Sequence, residues 1–235
     1  MPGLVDAALD LFTGSACAGC AIPGRALCAT CRAGLPHGAR LSMPTPSPEG
    51  LLPVYAAGEY DGVVRSLVLA HKERNRLALA GPLGLVLASV VADLPLDPVP
   101  VRLVPVPSAR SVTRARGHDP LLRVTRSAAS VLRAAGVDAR ATRLLSVRRR
   151  PEDQAGLGSE ARQANLAGAF AVPAGRARAV PASQDSTWVL VDDVVTTGAT
   201  LRAAQSALES AGVPVAVAAC IAATQRRAKS PRSPD

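Results

Sequence analysis

The stretch Trp188-Val189-Leu190-Val191-Asp192-Asp193-Val194-Val195-Thr196-Thr197-Gly198-Ala199-Thr200 decides the fold. It opens on an uninterrupted apolar run, the pattern of a strand buried on both faces. Two carboxylates stand where the run leaves the sheet, and a Thr-Thr-Gly-Ala-Thr turn then opens a helix. Backbone N–H groups at a helix N-terminus attract phosphate, and threonine hydroxyls add donors. Gly198 lets the chain approach an anion closely. Carboxylates beside a phosphate repel it unless they face something else, and sugar hydroxyls or a divalent metal are natural partners. A ribose 5-phosphate held at both ends fits this pattern. The competing reading is an acidic turn that caps an ordinary helix. No Gly-x4-Gly-Lys-Ser/Thr loop and no Gly-x-Gly-x-x-Gly fingerprint occurs in the chain, which excludes two commoner nucleotide-binding designs.

Outward from this stretch, strand and helix signals alternate. Strands are expected at Val54–Tyr60, Leu103–Val106, Leu144–Val147, Trp188–Val191 and Val213–Ala223. Asp61 is a plausible N-cap for a helix whose Val64, Leu67, Val68 and His71 share one face. Leu77–Leu94 reads as a mostly buried helix. Asp119-Pro120 starts another, which Gly136 stops near Ala135. Thr200–Ala211 is the helix after the Thr-Thr-Gly turn. Pro173–Ser186 reads as a loop, and residues 148–169 as irregular with a short helix from Ser159 to Asn165. Alternating β and α elements imply an α/β fold, a parallel sheet with flanking helices.

The N-terminal part differs in kind. Residues 4–12 have the spacing of a short amphipathic helix. Cys17-x2-Cys20 and Cys28-x2-Cys31 follow, seven residues apart. Two CxxC pairs this close predict one tetrahedral zinc ion, structural because four thiolates leave no open position. Redox thiols and cysteines without a shared role are the alternatives. His37 could substitute as a ligand but reads as a surface residue, and Cys220 reads as a small buried hydrophobe. The run Met43-Pro44-Thr45-Pro46-Ser47-Pro48 marks a linker. The expected division is a zinc module at 1–42, a linker at 43–53, the α/β domain at 54–224 and a disordered basic tail at 225–235.

The chain has 235 residues, 27 Lys+Arg against 18 Asp+Glu, and a net charge of +9. Hydrophobic residues at 48% exclude a wholly disordered chain. Aromatics at 2% argue against a single-strand binder built on stacked rings. From Arg102 to Arg150 there are twelve arginines and only two acids, Asp119 and Asp138. This run extends from the Val106-Pro107-Ser108 turn to the start of the irregular segment, so the basicity is expected around a polyphosphate site. The longest uncharged stretch, Leu77–Ala92, is too short to span a membrane. The N-terminus lacks a basic region ahead of its apolar stretch. No membrane insertion and a cytoplasmic location are expected.

The Asp192–Thr200 loop resembles the phosphoribosyl pyrophosphate (PRPP) loop of type I phosphoribosyltransferases. A resemblance to the ComF family, competence-associated phosphoribosyltransferase-like proteins, covers nearly the whole chain. The residues that carry it are the double CxxC, His71-Lys72, the strand Val104-Pro105-Val106-Pro107 and Arg116-Gly117. They continue with Gln154-x2-Leu157-x4-Arg162-x2-Asn165, Gly168-Ala169-Phe170 and the Asp192–Thr200 loop. Two positions depart from the family pattern: His118-Asp119-Pro120 replaces Phe-Asn-Gln, and Asn75 stands where glycine is common.

The resemblance implies that Asp192 and Asp193 bind the ribose hydroxyls and help place Mg²⁺, as the catalytic acids. It implies that Val194, Thr196, Thr197, Gly198, Ala199 and Thr200 complete the PRPP loop. Pro107 and Ser108 would approach pyrophosphate. Lys72, Arg116 and the run Arg148–Arg150 are candidate cations for it, and Gln154–Asn165 would form a flap. Two functions follow from the likeness. One is a Mg²⁺-dependent transfer of phosphoribosyl to an acceptor, in DNA uptake or nucleotide metabolism. The other is a non-catalytic PRPP or nucleotide sensor that handles single-stranded DNA. The implied partners are PRPP or a nucleotide, single-stranded DNA, and DNA-uptake or helicase proteins.

Overall fold

The computed structural model describes residues 16–97, 99–108, 119–148, 168–178 and 186–224. The expected helices at 4–12 and 159–165, the Gln154–Asn165 flap, Arg116, Arg149–Arg150 and the tail at 225–235 lie outside these residues.

A six-stranded sheet runs in the order β1-β2-β8-β7-β3-β4. Its strands are β1 (Arg40–Leu41), β2 (Val54–Glu59), β3 (Val101–Pro105), β4 (Ala139–Ala141), β7 (Thr187–Val195) and β8 (Val215–Ala223). Only the β1–β2 pair is antiparallel; the four pairings β2–β8, β8–β7, β7–β3 and β3–β4 are parallel. A separate antiparallel pair joins β5 (Ser146–Val147) to β6 (Phe170–Ala171). Strand β8 is apolar throughout and β7 is apolar but for Thr187, Asp192 and Asp193; Val189, Leu190, Val191 and Ala218–Cys220 are fully buried. This is what a parallel sheet covered on both faces requires.

Four helices matter for the site: α2 (Gly62–Glu73), α3 (Ala80–Ala92), α4 (Pro120–Ala134) and α6 (Ala199–Glu209); α1 (Ala29–Ala33) and α5 (Ala174–Ala177) are short. Helix α2 buries Val64, Leu67, Val68 and His71, the face read from the sequence. It starts after Asp61, although the Asp61 side chain makes no capping bond. Asp119 does cap α4, its Oδ1 accepting from the Leu122 N–H at 3.1 Å with Pro120 in the first turn. Gly136 ends that helix at φ +88°. Asn75 adopts φ +55°, the left-handed conformation that asparagine tolerates. Helices α3 and α4 approach closely at Gly84, where an added Cβ would fall on the Ser127 side chain and 3.0 Å from the Ala128 nitrogen.

The crossover from β3 through α4 moves outward to β4, whereas the crossover from β7 through α6 moves the other way to β8. Right-handed connections therefore place α4 and α6 on opposite faces of the sheet. Between β3 and β7 the direction of winding reverses. A crevice opens at the carboxyl ends of two such strands.

Several boundaries differ from the sequence reading. Strand β7 extends to Val195 rather than Val191, because the ladder with β8 continues through Asp192–Cys220, Val194–Ala222 and Val195–Ala223 and carries both acids inside the strand. Of Leu144–Val147 only the last two residues are strand; Leu144 and Leu145 are buried without ladder pairing. Leu77–Leu79 is a 3₁₀ turn ahead of α3. The loop after Pro173 begins with the helical turn α5, and β1, β4 and β6 are too short for a periodic signal.

Candidate functional site

The crevice at the β3–β7 reversal is a cavity of about 280 Å³. Val106, Pro107 and Ser108 line it from the end of β3, and Asp192, Asp193, Val194 and Thr200 from β7 and the loop after it. Pro120 and Leu121 close it from the start of α4, and Lys72 enters from α2. Alternation along a strand sends neighbouring side chains to opposite faces, yet both carboxylates, near the carboxyl end of β7, line the cleft.

Lys72 Nζ donates to Asp193 Oδ2 at 2.7 Å. Burial works to lower the Lys72 ammonium; the opposing pull of Asp193, with smaller contributions from Asp192 and Glu73, outweighs it and raises the pKa. Among the described residues Asp192 has no such partner of its own. Burial, and then the adjacent Asp193 charge, push its carboxyl up to about 8. The backbone N–H of Asp193, donating to Asp192 Oδ1 at 2.8 Å, offsets only part of that shift. The cleft thus holds two carboxylates and one described ammonium.

The loop Thr196–Gly198 turns through Gly198 at φ +74° into α6. The Ala199 N–H donates to Thr197 Oγ1 at 3.4 Å. On the other side of this loop lies a second, larger cavity of about 380 Å³. Its walls are Arg40–Thr45 on one side and Glu59, Val195, Thr196, Ala223 and Thr224 on the other. Sheet order places the two cavities on opposite sides of β7, one toward β3 and one toward β8 and β2.

Six of the twelve arginines between 102 and 150 lie away from the cleft, while Arg110, Arg114, Arg116, Arg149 and Arg150 lie outside the described residues. Arg123, Arg126, Arg133, Arg140, Arg143 and Arg148 are exposed. None of them lines either cavity. The first three follow one another along the outer side of α4, and Arg140 sits on the edge strand β4. The helix buries its apolar side against α3 and the sheet, so its charged positions can only face outward.

Two buried polar residues hold this region together: His71, read from the sequence only as part of a helix face and a motif, and Gln205, which the sequence reading did not single out. His71 is buried, with Nδ1 3.1 Å from the Arg76 carbonyl oxygen and Nε2 3.2 Å from that of Pro120, so the ring bridges the end of α2 and the start of α4. Gln205 lies on the apolar stripe of α6 with Leu201, Ala204 and Leu208. A polar residue inside such a stripe was the signal that could have singled it out.

The four N-terminal cysteines converge, with their Sγ atoms all within 4.8 Å of one another. A ZnS₄ tetrahedron with bonds of ~2.3 Å has edges of about 3.8 Å, and Cys20 and Cys28 are already 3.6 Å apart. The Cys28 N–H donates to Cys17 Sγ at 3.3 Å and the Cys31 N–H to Cys28 Sγ at 3.4 Å. Burial opposes ionisation of Cys17, yet backbone donors from Cys28, Cys20 and Gly19 lower its thiol to about 6. Burial and the neighbouring sulfurs push Cys31 up to about 12. The donor set fits zinc, whose charge would supply what Cys31 lacks as a thiolate. The knuckle seats on α2 through Gly19, where an added Cβ would lie 3.1 Å from Val63 Cγ1. Arg76 adds a bond from its guanidinium to the Ala16 carbonyl. Cys220 is fully buried, and burial holds its thiol well above the ordinary range.

An acid pair and a Thr-Thr-Gly turn thus stand at the strand-order reversal. Residues 124–235 match the family model of the phosphoribosyl transferase domain. A comparison with curated proteins returns no match. The chain carries a phosphoribosyl transferase-type domain on a mainly parallel six-stranded sheet, with an N-terminal four-cysteine cluster that fits a structural zinc ion. Among the described residues no helix is long and apolar enough to cross a membrane.

Zinc analysis of the purified protein should give one ion per chain. Cys31→Ser should lose that ion and lower the melting temperature, whereas retained stoichiometric zinc would rule out the four-cysteine site. A second expectation concerns pH. The folded pKa of Asp192 lies above its unfolded value of 3.8. The folded state therefore binds the extra proton between about 4 and 8, and stability falls as pH rises through that window. Asp192→Asn should remove this dependence, so that wild type loses stability relative to the variant from pH 4 to pH 8. Parallel thermal-denaturation profiles for the two proteins would contradict the shift.

Proposed function

We propose that the cleft binds PRPP with Mg²⁺ and that the protein transfers the phosphoribosyl group to a nitrogen acceptor. The convergence of Asp192, Asp193, Lys72 and the Thr196–Thr200 loop at the β3–β7 reversal carries this reading. The loop amides and threonine hydroxyls take the 5-phosphate. Asp192 and Asp193 take the ribose hydroxyls, and Lys72 with the Val106-Pro107-Ser108 turn faces the pyrophosphate. Bound beside the acid pair, Mg²⁺ would neutralise charge on the leaving pyrophosphate.

Binding makes Lys72 exchange partners. In the free protein it neutralises Asp193. Once the ribose hydroxyls donate to that carboxylate, the ammonium turns to the pyrophosphate oxygens a few ångströms away. As the anomeric carbon–oxygen bond breaks, pyrophosphate leaves with the bonding pair, and the sugar ring gains positive charge that the carboxylates stabilise. The acceptor nitrogen forms the new bond to that carbon from the side opposite the leaving group. The 380 Å³ cavity on the far side of β7 is the space available for it. Glu59 is the carboxylate on that wall, positioned to receive the proton that the acceptor nitrogen releases.

The likeness to the ComF family supports a role in DNA uptake in the cytoplasm, with single-stranded DNA and uptake or helicase proteins as partners. The exposed arginines of α4 support the DNA part of that reading. Arg123, Arg126 and Arg133 span about 15 Å of helix at ~1.5 Å per residue, a row suited to a phosphodiester backbone.

Calorimetry with PRPP and Mg²⁺ should show binding by wild type and at least a tenfold loss in the double variant Asp192→Asn/Asp193→Asn. Equal affinity in the two proteins would remove the site assignment. The DNA reading is tested separately, by fluorescence anisotropy with a labelled 30-nucleotide single strand. Affinity should fall steeply between 50 and 200 mM salt, by roughly 50-fold for about four phosphate contacts. It should be lost in Arg123→Glu/Arg126→Glu/Arg133→Glu with PRPP binding unchanged. Undetectable or salt-independent binding by wild type would discard that partner.

A further inference from the structure

The proline-rich segment between the cysteine module and β2 is fastened to the phosphate loop. Gln205, only 5% exposed, reaches it from α6. Its Oε1 accepts from the Leu52 N–H at 3.1 Å, and its Nε2 donates to the Gly50 carbonyl at 3.0 Å and to Glu209 Oε1 at 2.7 Å. One turn earlier on the helix, Arg202 Nε donates to the Glu49 carbonyl at 3.0 Å, and its Nη1 lies 3.4 Å from Glu209 Oε2. Glu209 thus orients both side chains that hold the segment. The apolar side of the same segment closes on Gly198. A Cβ added at Gly198 would lie 2.7 Å from Leu51 Cδ2, 2.9 Å from Pro44 Cγ and 3.3 Å from Pro48 Cδ.

We propose that Gln205 is a positioning residue for the phosphate end of the ligand. By fixing the 44–52 strap against Gly198, it holds the Thr196–Thr200 amides in their anion-binding arrangement. The inference rests on the reading above that this loop takes the 5-phosphate. Gly198 is in the left-handed region at φ +74°, and glycine has wide conformational freedom there. Nothing in its own side chain restrains the turn; the strap does. Prolines at 44 and 48 give the strap little freedom of its own. Removing the Gln205 amide would leave the buried Leu52 N–H without its partner and release the exposed Gly50 carbonyl to water. The strap would lift, and the loop would have to order on binding instead of before it. The pyrophosphate end lies on the other side of β7, at Lys72, Pro107 and Ser108, and is touched by neither the strap nor Gln205.

The test uses calorimetry on the full chain with two separate probes, ribose 5-phosphate and Mg²⁺-pyrophosphate. Gln205→Leu should weaken ribose 5-phosphate about tenfold while pyrophosphate affinity stays within about twofold. Arg202→Met, which loosens the grip at Glu49 without altering the buried amide, should weaken ribose 5-phosphate by about threefold with the same selectivity. If Gln205→Leu does not fold, Arg202→Met decides. Equal losses for both probes would mean general loosening and would overturn the proposal, as would unchanged ribose 5-phosphate affinity. Wild type that binds neither probe would instead sink the phosphate-site reading itself, and with it this one.

Discussion

The reversal of winding between β3 and β7 is the constraint on which the site depends. Right-handed crossovers cannot leave two neighbouring parallel strands toward the same side when one leads outward to β4 and the other back to β8. The helices that follow the two strands, α4 and α6, therefore lie on opposite faces. The turn at Val106–Ser108 and the acid-bearing end of β7 face each other across the cleft. The walls of this crevice are continuous with the most deeply buried strands, Leu103–Val104 and Val189–Val191.

Electrostatics then sets the state of the empty cleft. Two adjacent carboxylates withdrawn from water disfavour each other's charge, and one ammonium can satisfy only one of them. Lys72 takes Asp193, so Asp192 bears the imbalance. An environment of this kind is unfavourable for the folded protein alone and favourable for a ligand that brings hydroxyl donors or a cation. Natural sites often hold such groups at a cost in stability. The stabilising apolar packing is concentrated below the cleft, in β7, β8 and the faces of α3 and α4.

Much of this was legible in the sequence, for identifiable reasons. The apolar run of β7 and the Asp-Asp-x2-Thr-Thr-Gly turn are local signals, and so are the caps at Asp119-Pro120 and Gly136. The two CxxC pairs close over only a few residues, so spacing alone brings them together. What escaped detection depends on residues far apart in the chain. Gln205 and Leu52 are separated by 153 positions, and no periodicity links them. The end of β7 was placed too early because carboxylates ordinarily mark a strand's exit, whereas ladder bonds to β8 carry this strand past them. Arg123, Arg126 and Arg133 belong to a run clustered in sequence yet turn outward, because helix periodicity, not proximity along the chain, decides where α4 presents them.

The cysteine module gains a physical role from the same long-range contacts. A segment of this size cannot bury enough apolar surface to fold unaided, and a metal supplies what its core lacks. Once closed, it bears on α2 at Val63 and binds the α2–α3 joint through Arg76. From that joint His71 reaches α4, and one residue further Lys72 reaches Asp193. Past Cys31 the chain continues through β1 into the strap, which ends against Gly198. The module therefore braces both sides of the β7 loop: the acid pair through α2, and the Thr196–Gly198 turn through the strap.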